Sequence, residues 1–481
     1  MVGINTGLYI GYSGLQAARG GLLVTGNNVA NVNTEGYTRQ MPTLAPGITL
    51  YEGGRVLFGS GATIQSVNAM RDQLVEREVT QKKSTFSFQR EMTSLLKSAE
   101  SMIQDQDNAG LGPALSQFFQ SLQNVSAQPD QVAYRISLLD AGSHLASTIR
   151  NQYQALTEYN QGINQQVGQT VTQVNNLSDR IAALNRQIGA TPGQAAGLVD
   201  ERNALVNQLA ELVDIDVYDL GNNLIQVNAT NLNVLLVGRE TANPLSTQLN
   251  PLNQNYFDVL VNYGTTTTNI TASIGGGKLG ALLQARDQEN PTLLRELDNL
   301  AAGLIDQVNA IHTTGFAQDG VTTGLNYFEP FPTGAPGPNN HQGAAANIRL
   351  SVDVDGLPQN LALSATGAIG DNGIALALAQ LRRNTAVIDN DGDGIAETGT
   401  FESFHGQRNA TLGAKIQSTQ SAYNSQKTLL DQALNRRDEV SAVSLDEEAL
   451  NLSQYQKAFE ANSRFMRVID QLMEQIIANL G

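Results

Sequence analysis

Two heptads, one at each end of the chain, restrict its fold more than any other feature. Leu8, Leu15, Leu22 and Val29 recur every seven residues, with Tyr12, Ala18 and Thr25 between them. At the other end Leu445, Leu452, Phe459, Met466, Met473 and Leu480 repeat in the same way, interleaved by Tyr455, Ile469 and Ile476. A seven-residue apolar period belongs to helices that wrap a partner. Stripes at both extremes of 481 residues predict paired ends around a nested, elongated body.

The first stripe cannot stand alone. Gly3, Gly7, Gly11, Gly14, Gly20, Gly21 and Gly26 interrupt it, each costing about 1 kcal/mol relative to Ala in a helix interior. A lone helix of this length is already marginal. The segment is therefore expected to order only on assembly, its glycines then letting neighbouring backbones approach closely. Up to residue 40 its only charges are Arg19, Glu35 and Arg39, so nearly the whole circumference can face protein.

Directly after it comes "NNVANVNTEGYTRQ", with Asn27, Asn28, Asn31 and Asn33 crowded before Gly36 and Tyr37. Asn and Gly accept left-handed dihedrals, and Asn and Thr side chains satisfy loose backbone groups in turns. The cluster reads as a hydrogen-bonded hinge anchored by Tyr37.

Composition narrows the class. The length predicts two to four domains, and no apolar run reaches the roughly 18 to 20 residues of a membrane span. The opening "MVGINTGLYIGYSGLQAARGG" has no basic n-region, so a cleaved secretory signal is not expected. A formal charge of −16 disfavours nucleic acid and anionic membranes as partners. With no Cys or Trp and 5% aromatic residues, the core must come from Leu, Ile, Val and Ala, which points to helices.

Between the ends, residues 40–66 read as short extended pieces broken at Gly53, Gly54 and Gly59. Helical patterning covers about 68–110, 113–126, 130–189 and 194–212, with Leu177, Ile181, Leu184 and Ile188 forming one stripe. Residues 213–278 switch to β-branched alternation with turns such as Gly221-Asn222-Asn223, an inserted β domain. Helical period returns over 279–312. Residues 315–345 are Gly/Pro-rich and irregular, "NIRLSVDV" is strand-like, and helices are expected at 373–384, 403–440 and 443–480.

The ends, together with "VSLDEEALNLSQYQKAFEANSRFMRVIDQLMEQII", resemble the flagellar axial proteins: the rod, hook and hook-associated set. The middle, from "QPDQVAYRISLLDAGSHLASTIRNQYQALTEYNQ" through "GLVDERNALVNQLAELVDIDV" to "GGGKLGALLQARD", is similar to the hook-associated branch. Asn28, Ala30, Asn31, Asn33, Thr34, Gly36 and Tyr37 fall on the family's N-terminal motif. Leu445, Glu447, Glu448, Leu452, Tyr455, Gln456, Ala458 and Asn462 fall on its C-terminal one. Glu35 departs from it, standing where relatives usually carry Pro.

The resemblance implies a mainly α fold with inserted β: an elongated, multi-domain chain with a terminal antiparallel α-helical coiled coil lining a tube, a helical-bundle second domain and a small β outer domain. The expected division is 1–36 plus 443–481, then 37–212 plus 279–442 with an irregular segment at about 315–372, then 213–278 outermost. It also implies a structural adaptor between hook and filament in the extracellular flagellum, exported through the flagellar channel. Its partners would be a ring of like subunits, the hook protein, a second hook–filament junction protein and an export chaperone on the C-terminal helix. Membrane insertion is not expected. The alternatives are another axial protein, such as a hook subunit or the second junction protein, and a secreted calcium-dependent surface adhesin. The expected assembly interface comprises Leu8, Leu15, Leu22, Val29, Asn28, Asn31, Asn33, Gly36 and Tyr37 with Leu445, Leu452, Tyr455, Phe459, Asn462, Met466, Ile469, Met473 and Ile476.

Chemistry is sparse. His144, His312, His341 and His405 are scattered without HExxH, so no zinc peptidase is expected. "SIGGGKLG" lacks the spacing and the Ser/Thr of a phosphate loop and reads as a turn. Glu447 and Glu448 begin a helix, where they favour its dipole. One candidate remains: "DNDGDGIAE" sets Asp389, Asp391, Asp393, the Ile395 carbonyl and Glu397 at calcium-loop positions around Gly394. Thr400 replaces the expected bidentate acid, which weakens any such site. No catalysis is expected.

Overall fold

In the computed structural model, the described residues are 2–34, 36–47, 49–52, 55–59, 61–105, 109–191, 195–229, 234–331, 341–384, 386–388 and 397–480. Helix α1 (Val2–Ala30) leads through the Asn-rich turn into strands β1 (Gln40–Pro46), β2 (Thr49–Glu52), β3 (Arg55–Gly59) and β4 (Ala62–Ala69). β1 pairs antiparallel with β4 and β2 with β3. This hairpin lies along α1. Ala62 N–H donates to Ser13 Oγ at 3.2 Å, and Gly20 leaves the space that the Ile64 side chain fills.

A helical body follows: α2 (Gln73–Ile103), α3 (Leu111–Ala127), α4 (Val132–Ala190) and α5 (Ala196–Leu212). Asp72 starts α2 by accepting from Leu74 N–H at 2.8 Å. The 59 residues of α4 reach about 90 Å at 1.5 Å per residue, so α4 is the spine. Ile181, Leu184 and Ile188 are buried on it, with Leu177 half-buried at the edge. Two large cores sit along its length, and Ile188 joins a small third cluster with Ala195, Val199 and Leu224. Leu138, Leu145 and Ile149 join the core built with α3; Leu156, Ile163, Val167 and Val174 join the one built with α2 and α5.

The β insertion forms two three-stranded antiparallel sheets. One contains β5 (Ile215–Gly221), β6 (Leu224–Ala229) and β7 (Val234–Val237); the other contains β8 (Leu245–Asn250), β9 (Tyr256–Tyr263) and β10 (Thr266–Asn269). Asn222 and Asn223 make the first hairpin's turn at φ 53° and 61°, the left-handed pair that matches strand twist. Helix then resumes as α6 (Gly277–Gln284), a π turn (Ala285–Glu289) and α7 (Asn290–His312). The π turn carries fully buried Arg286, which donates to Asn164 Oδ1 at 2.9 Å and Phe257 O at 2.8 Å while pairing with Asp287 at 2.7 Å. That single guanidinium binds β9 to α4.

The strand expected at "NIRLSVDV" does not form. Leu350 makes only an isolated bridge to Phe328, and residues 352–356 turn. Asp355 N–H returns to Ser351 O at 3.0 Å and Gly356 takes φ 68°, so local polar groups satisfy the backbone before a ladder can. Short α8 (Ala344–Asn347) precedes this segment, and α9 (Gly373–Gln380) ends sooner than its apolar pattern suggested. β11 (Ala386–Ile388) and β12 (Glu397–Gly399) pair, and α10 (Phe401–Ser441) and α11 (Leu445–Leu480) close the chain. The architecture is mainly α with small inserted antiparallel sheets.

Candidate assembly interface

Helices α1 and α11 pack along one another, but not on the leucine stripe. The face of α1 turned to α11 carries Gly7, Gly11, Gly14, Ala18, Gly21, Thr25 and Asn28, a heptad whose register lies one residue before the leucines. A Cβ at Gly11 would stand 2.5 Å from Met466 Sδ, at Gly14 2.5 Å from Asn462 Oδ1, and at Gly21 2.5 Å from the Tyr455 ring. Large α11 side chains thus press directly on the α1 backbone. A leucine in those places would hold the helices apart. Leu8, Leu15 and Leu22 are consequently only half-buried, and Val29 is exposed.

On α11, Tyr455, Asn462, Met466, Ile469 and Met473 are the half-buried members, while Leu445, Leu452, Phe459 and Ile476 are exposed. Phe465, Val468, Leu472 and Ile477 are exposed beside them, as are Tyr9, Tyr12 and Leu23 on α1. Two helices alone cannot cover this much apolar surface.

The Asn-rich turn joins that pair to the helical body. Asn28 is buried and uses both ends of its amide. Nδ2 donates to Gln40 O at 2.9 Å and Glu448 Oε2 at 3.1 Å; Oδ1 accepts from Tyr37 Oη at 2.8 Å and Gln40 N at 3.0 Å. Asn27 donates to Tyr37 Oη at 3.1 Å, and Asn31 donates back to Asn27 O at 2.9 Å. Gly36 provides the left-handed residue at φ 79°, whereas Asn33 is exposed and Glu35 lies outside the described residues.

Glu448 points inward rather than only serving the start of α11. Arg39 Nε donates to its Oε1 at 2.7 Å, and the same guanidinium pairs with Glu447. On the body side, Arg71 donates to Thr38 Oγ1 at 2.9 and 3.0 Å and pairs with Asp200 of α5. Burial, then the charges of Asp200 and Glu448, push the Tyr37 hydroxyl up to about 12, so it remains a donor. Burial likewise raises Asp200, against the pull of Arg71 and Thr38. No sequence motif marks Arg39, Arg71 or Asp200 as members of this joint. Arg39 left a trace, as one of three charges in an otherwise uncharged forty-residue segment.

The other candidates separate. Residues 389–396 of the calcium loop lie outside the described residues, and Glu397 is described only as the start of β12. Among the described residues, no three His, Cys, Asp or Glu gather as metal ligands. His312 is buried in the core, His405 Nε2 meets Asp105 at 3.0 Å, and His341 Nδ1 lies 3.2 Å from Asn299 Oδ1. Gly277, at φ 65°, abuts Val213 N, so "SIGGGKLG" is a tight turn into α6. No helix among the described residues is long and apolar enough to cross a membrane.

Comparison with known proteins agrees at both ends and in the middle. The family described as "Flagella basal body rod protein" matches residues 8–38 and "Flagellar basal body rod FlgEFG protein C-terminal" matches 424–480. Paired terminal helices bearing these motifs define a flagellar axial protein. The "Flagellar hook-associated protein FlgK helical domain" matches 96–328. Flagellar hook-associated protein 1 of Bacillus subtilis is 29% identical over 510 positions, covering 99% of this chain and 98% of the relative. The protein of the same name from Salmonella typhimurium is 23% identical over 556 positions, covering 97% and 98%. The structure of the flagellar hook junction protein FlgK from Burkholderia pseudomallei superposes with a TM-score of 0.63 at 17% identity, over 76% of this chain and 100% of that one, and shares the fold. Over nearly its whole length this chain is similar to flagellar hook-associated protein 1.

Proposed function

We propose that the chain is a structural subunit of the bacterial flagellum at the junction between hook and filament, where it is needed before filament can form. The observation that carries this is the helix pair closed on glycine: α1 and α11 fit each other closely yet leave Tyr9, Tyr12, Leu23, Phe459, Phe465 and Leu472 uncovered. Like subunits in a ring would cover these faces, contributing on the order of 25 cal/mol per Å² of apolar area buried, less the ordering of the tails. The half-exposed Leu8, Leu15 and Leu22 belong to the same covered surface.

The proposal divides the chain into a terminal unit of 1–36 with 443–481, a helical unit of 37–212 with 279–442 and an outer β unit of 213–278. The packing of β1 and β4 along α1 argues for moving that hairpin to the terminal unit. It further holds that the chain leaves the cell through the flagellar channel, that a chaperone masks the exposed α11 stripe beforehand, that hook protein and a second junction protein are its axial neighbours, and that no reaction is catalysed. A weak calcium ion at 389–397 is included; calorimetry giving no heat at millimolar calcium would remove it.

Removal of the gene tests the central reading. Hooks should persist without filaments and flagellin should appear in the medium; absent hooks would favour a hook subunit instead.

A further inference from the structure

The end of the helical body near the start of α4 lies about 90 Å from the terminal joint, given the length of the spine. It is capped by turns from residues 313–331 and 341–372, and these turns are tied to each other. Gly320 and Gly367, at φ 70° and 78°, abut backbone to backbone; a Cβ on either would stand 2.6 or 2.5 Å from the other's carbonyl oxygen. Gln318 N donates to Gln359 O at 3.0 Å, and Asn360 Nδ2 to Asp353 O at 2.8 Å. Beneath them Arg135 is buried and donates to Pro129 O, Pro358 O and Leu361 O at 2.6, 3.1 and 2.9 Å. The cap is thus fixed to the first turn of α4, although it has almost no regular structure.

Such a scaffold has no internal need to display large apolar side chains, yet it does. Val321 and Val352 are 77% exposed and Ile369 is 96% exposed, with Val132 half out at the adjoining start of α4. Val321 and Ile369 sit on the two abutting glycine turns, and Gly370 next to Ile369 approaches Asp130, two residues before Val132. Around them acidic residues outnumber basic ones. Residues 313–372 contain Asp319, Glu329, Asp353, Asp355 and Asp371 against Arg349 alone, a balance of −4. Turn hydrogen bonds hold the Asp319 and Asp371 carboxyls below the usual range, so both stay ionised.

We infer that this distal cap is a docking surface for a different protein, one presenting Lys and Arg around an apolar depression that receives Val321 and Ile369. A second copy is the poorer occupant on two grounds. It would come from a chain that is itself acidic, of net charge −16. In addition, like subunits in one ring meet through their sides, leaving the bundle end to an axial neighbour; this ground rests on the junction reading above.

The test uses full-length protein in intact flagella of the source bacterium. A benzoylphenylalanine photocrosslinker replaces Ile369 in one variant and Val321 in another, with the equally exposed Leu252 of the β insertion as control. Adducts at 369 or 321 should join the chain to another protein, several-fold above the control, at a peptide containing Lys or Arg. Adding Asp130→Asn with Asp355→Asn should lower that yield. Exclusion of both cap variants from flagella, while the Leu252 variant incorporates, would also support the cap as a required contact. Incorporated cap variants giving no adduct, or adducts only to further copies of this chain, would overturn the inference. Absence of the unmodified chain from flagella would instead strike the junction reading.

Discussion

Asn28 and Glu448, 420 positions apart in the chain, are hydrogen-bonded at 3.1 Å inside the joint between the terminal helix pair and the helical body. The same amide holds Gln40 and Tyr37, so one side chain connects α1, the strand leaving it and the start of α11. Replacing Asn28 by Ala strands several buried partners at once, at about 1–3 kcal/mol for each lost set of bonds. Counting filament-bearing hooks should show N28A reduced about tenfold or more, whereas Asn33→Ala, at an exposed amide, should stay near the parent. Equal losses for both would contradict the hub.

The glycine seam makes a second prediction, because Asn462 occupies the space that any larger residue at position 14 would need. Gly14→Leu should abolish filament formation while leaving the thermal unfolding of the helical body unchanged, as α1 lies outside both of its large cores. Gly26→Ala meets open space and should be tolerated. Calorimetry on the purified variants, paired with electron microscopy of the cells, separates the two effects. A functional Gly14→Leu would mean the helices do not close on this face.

Arg286 is expected to dominate the attachment of the second β sheet. Removing a buried, ion-paired guanidinium costs roughly 3–5 kcal/mol when its partners are left behind. Arg286→Ala should therefore speed amide exchange across Tyr256–Tyr263 well before the far end of α4 is affected. Uniform change along the body would argue against a local clamp.

Two groups on α7 give opposing pH dependences. His312 Nδ1–H donates to Leu325 O at 2.7 Å, and its Nε2 accepts from Ala362 N–H at 3.0 Å. Burial lowers its pKa to about 4, while the unfolded imidazole takes up its proton at about 6.5. Acidification through that interval therefore removes stability. Burial raises Asp298 to about 6, so over much the same interval its protonation in the folded state returns stability. Urea midpoints between pH 7 and pH 4 should fall more steeply in Asp298→Asn and more shallowly in His312→Gln, each slope change worth on the order of 3 kcal/mol over the range. Unaltered slopes would contradict these assignments.

The sequence was most legible where periodicity and turn chemistry act locally. The α4 stripe through Ile181 and Ile188, the β switch after Val213 and the hairpin turn at Asn222 and Asn223 all follow from residues a few positions apart. It was least legible where a contact depends on the missing side chain. Glycine close approach was legible on α1, but its register was not: the apolar period falls on Leu8, Leu15 and Leu22, whereas the helices meet one residue earlier. Arg39–Glu448 and Arg71–Asp200 join distant segments, and no local pattern announces such pairs. "NIRLSVDV" misled for the opposite reason: its alternation is strand-like, but Ser351 and Asp353 turn the backbone on themselves.

A cryo-EM map of the hook–filament boundary tests the central claim most directly. It should trace α1 and α11 of this chain toward the axis, with Tyr12, Phe459, Phe465 and Leu472 covered by neighbouring subunits. Terminal helices facing outward with those side chains in water would contradict the account.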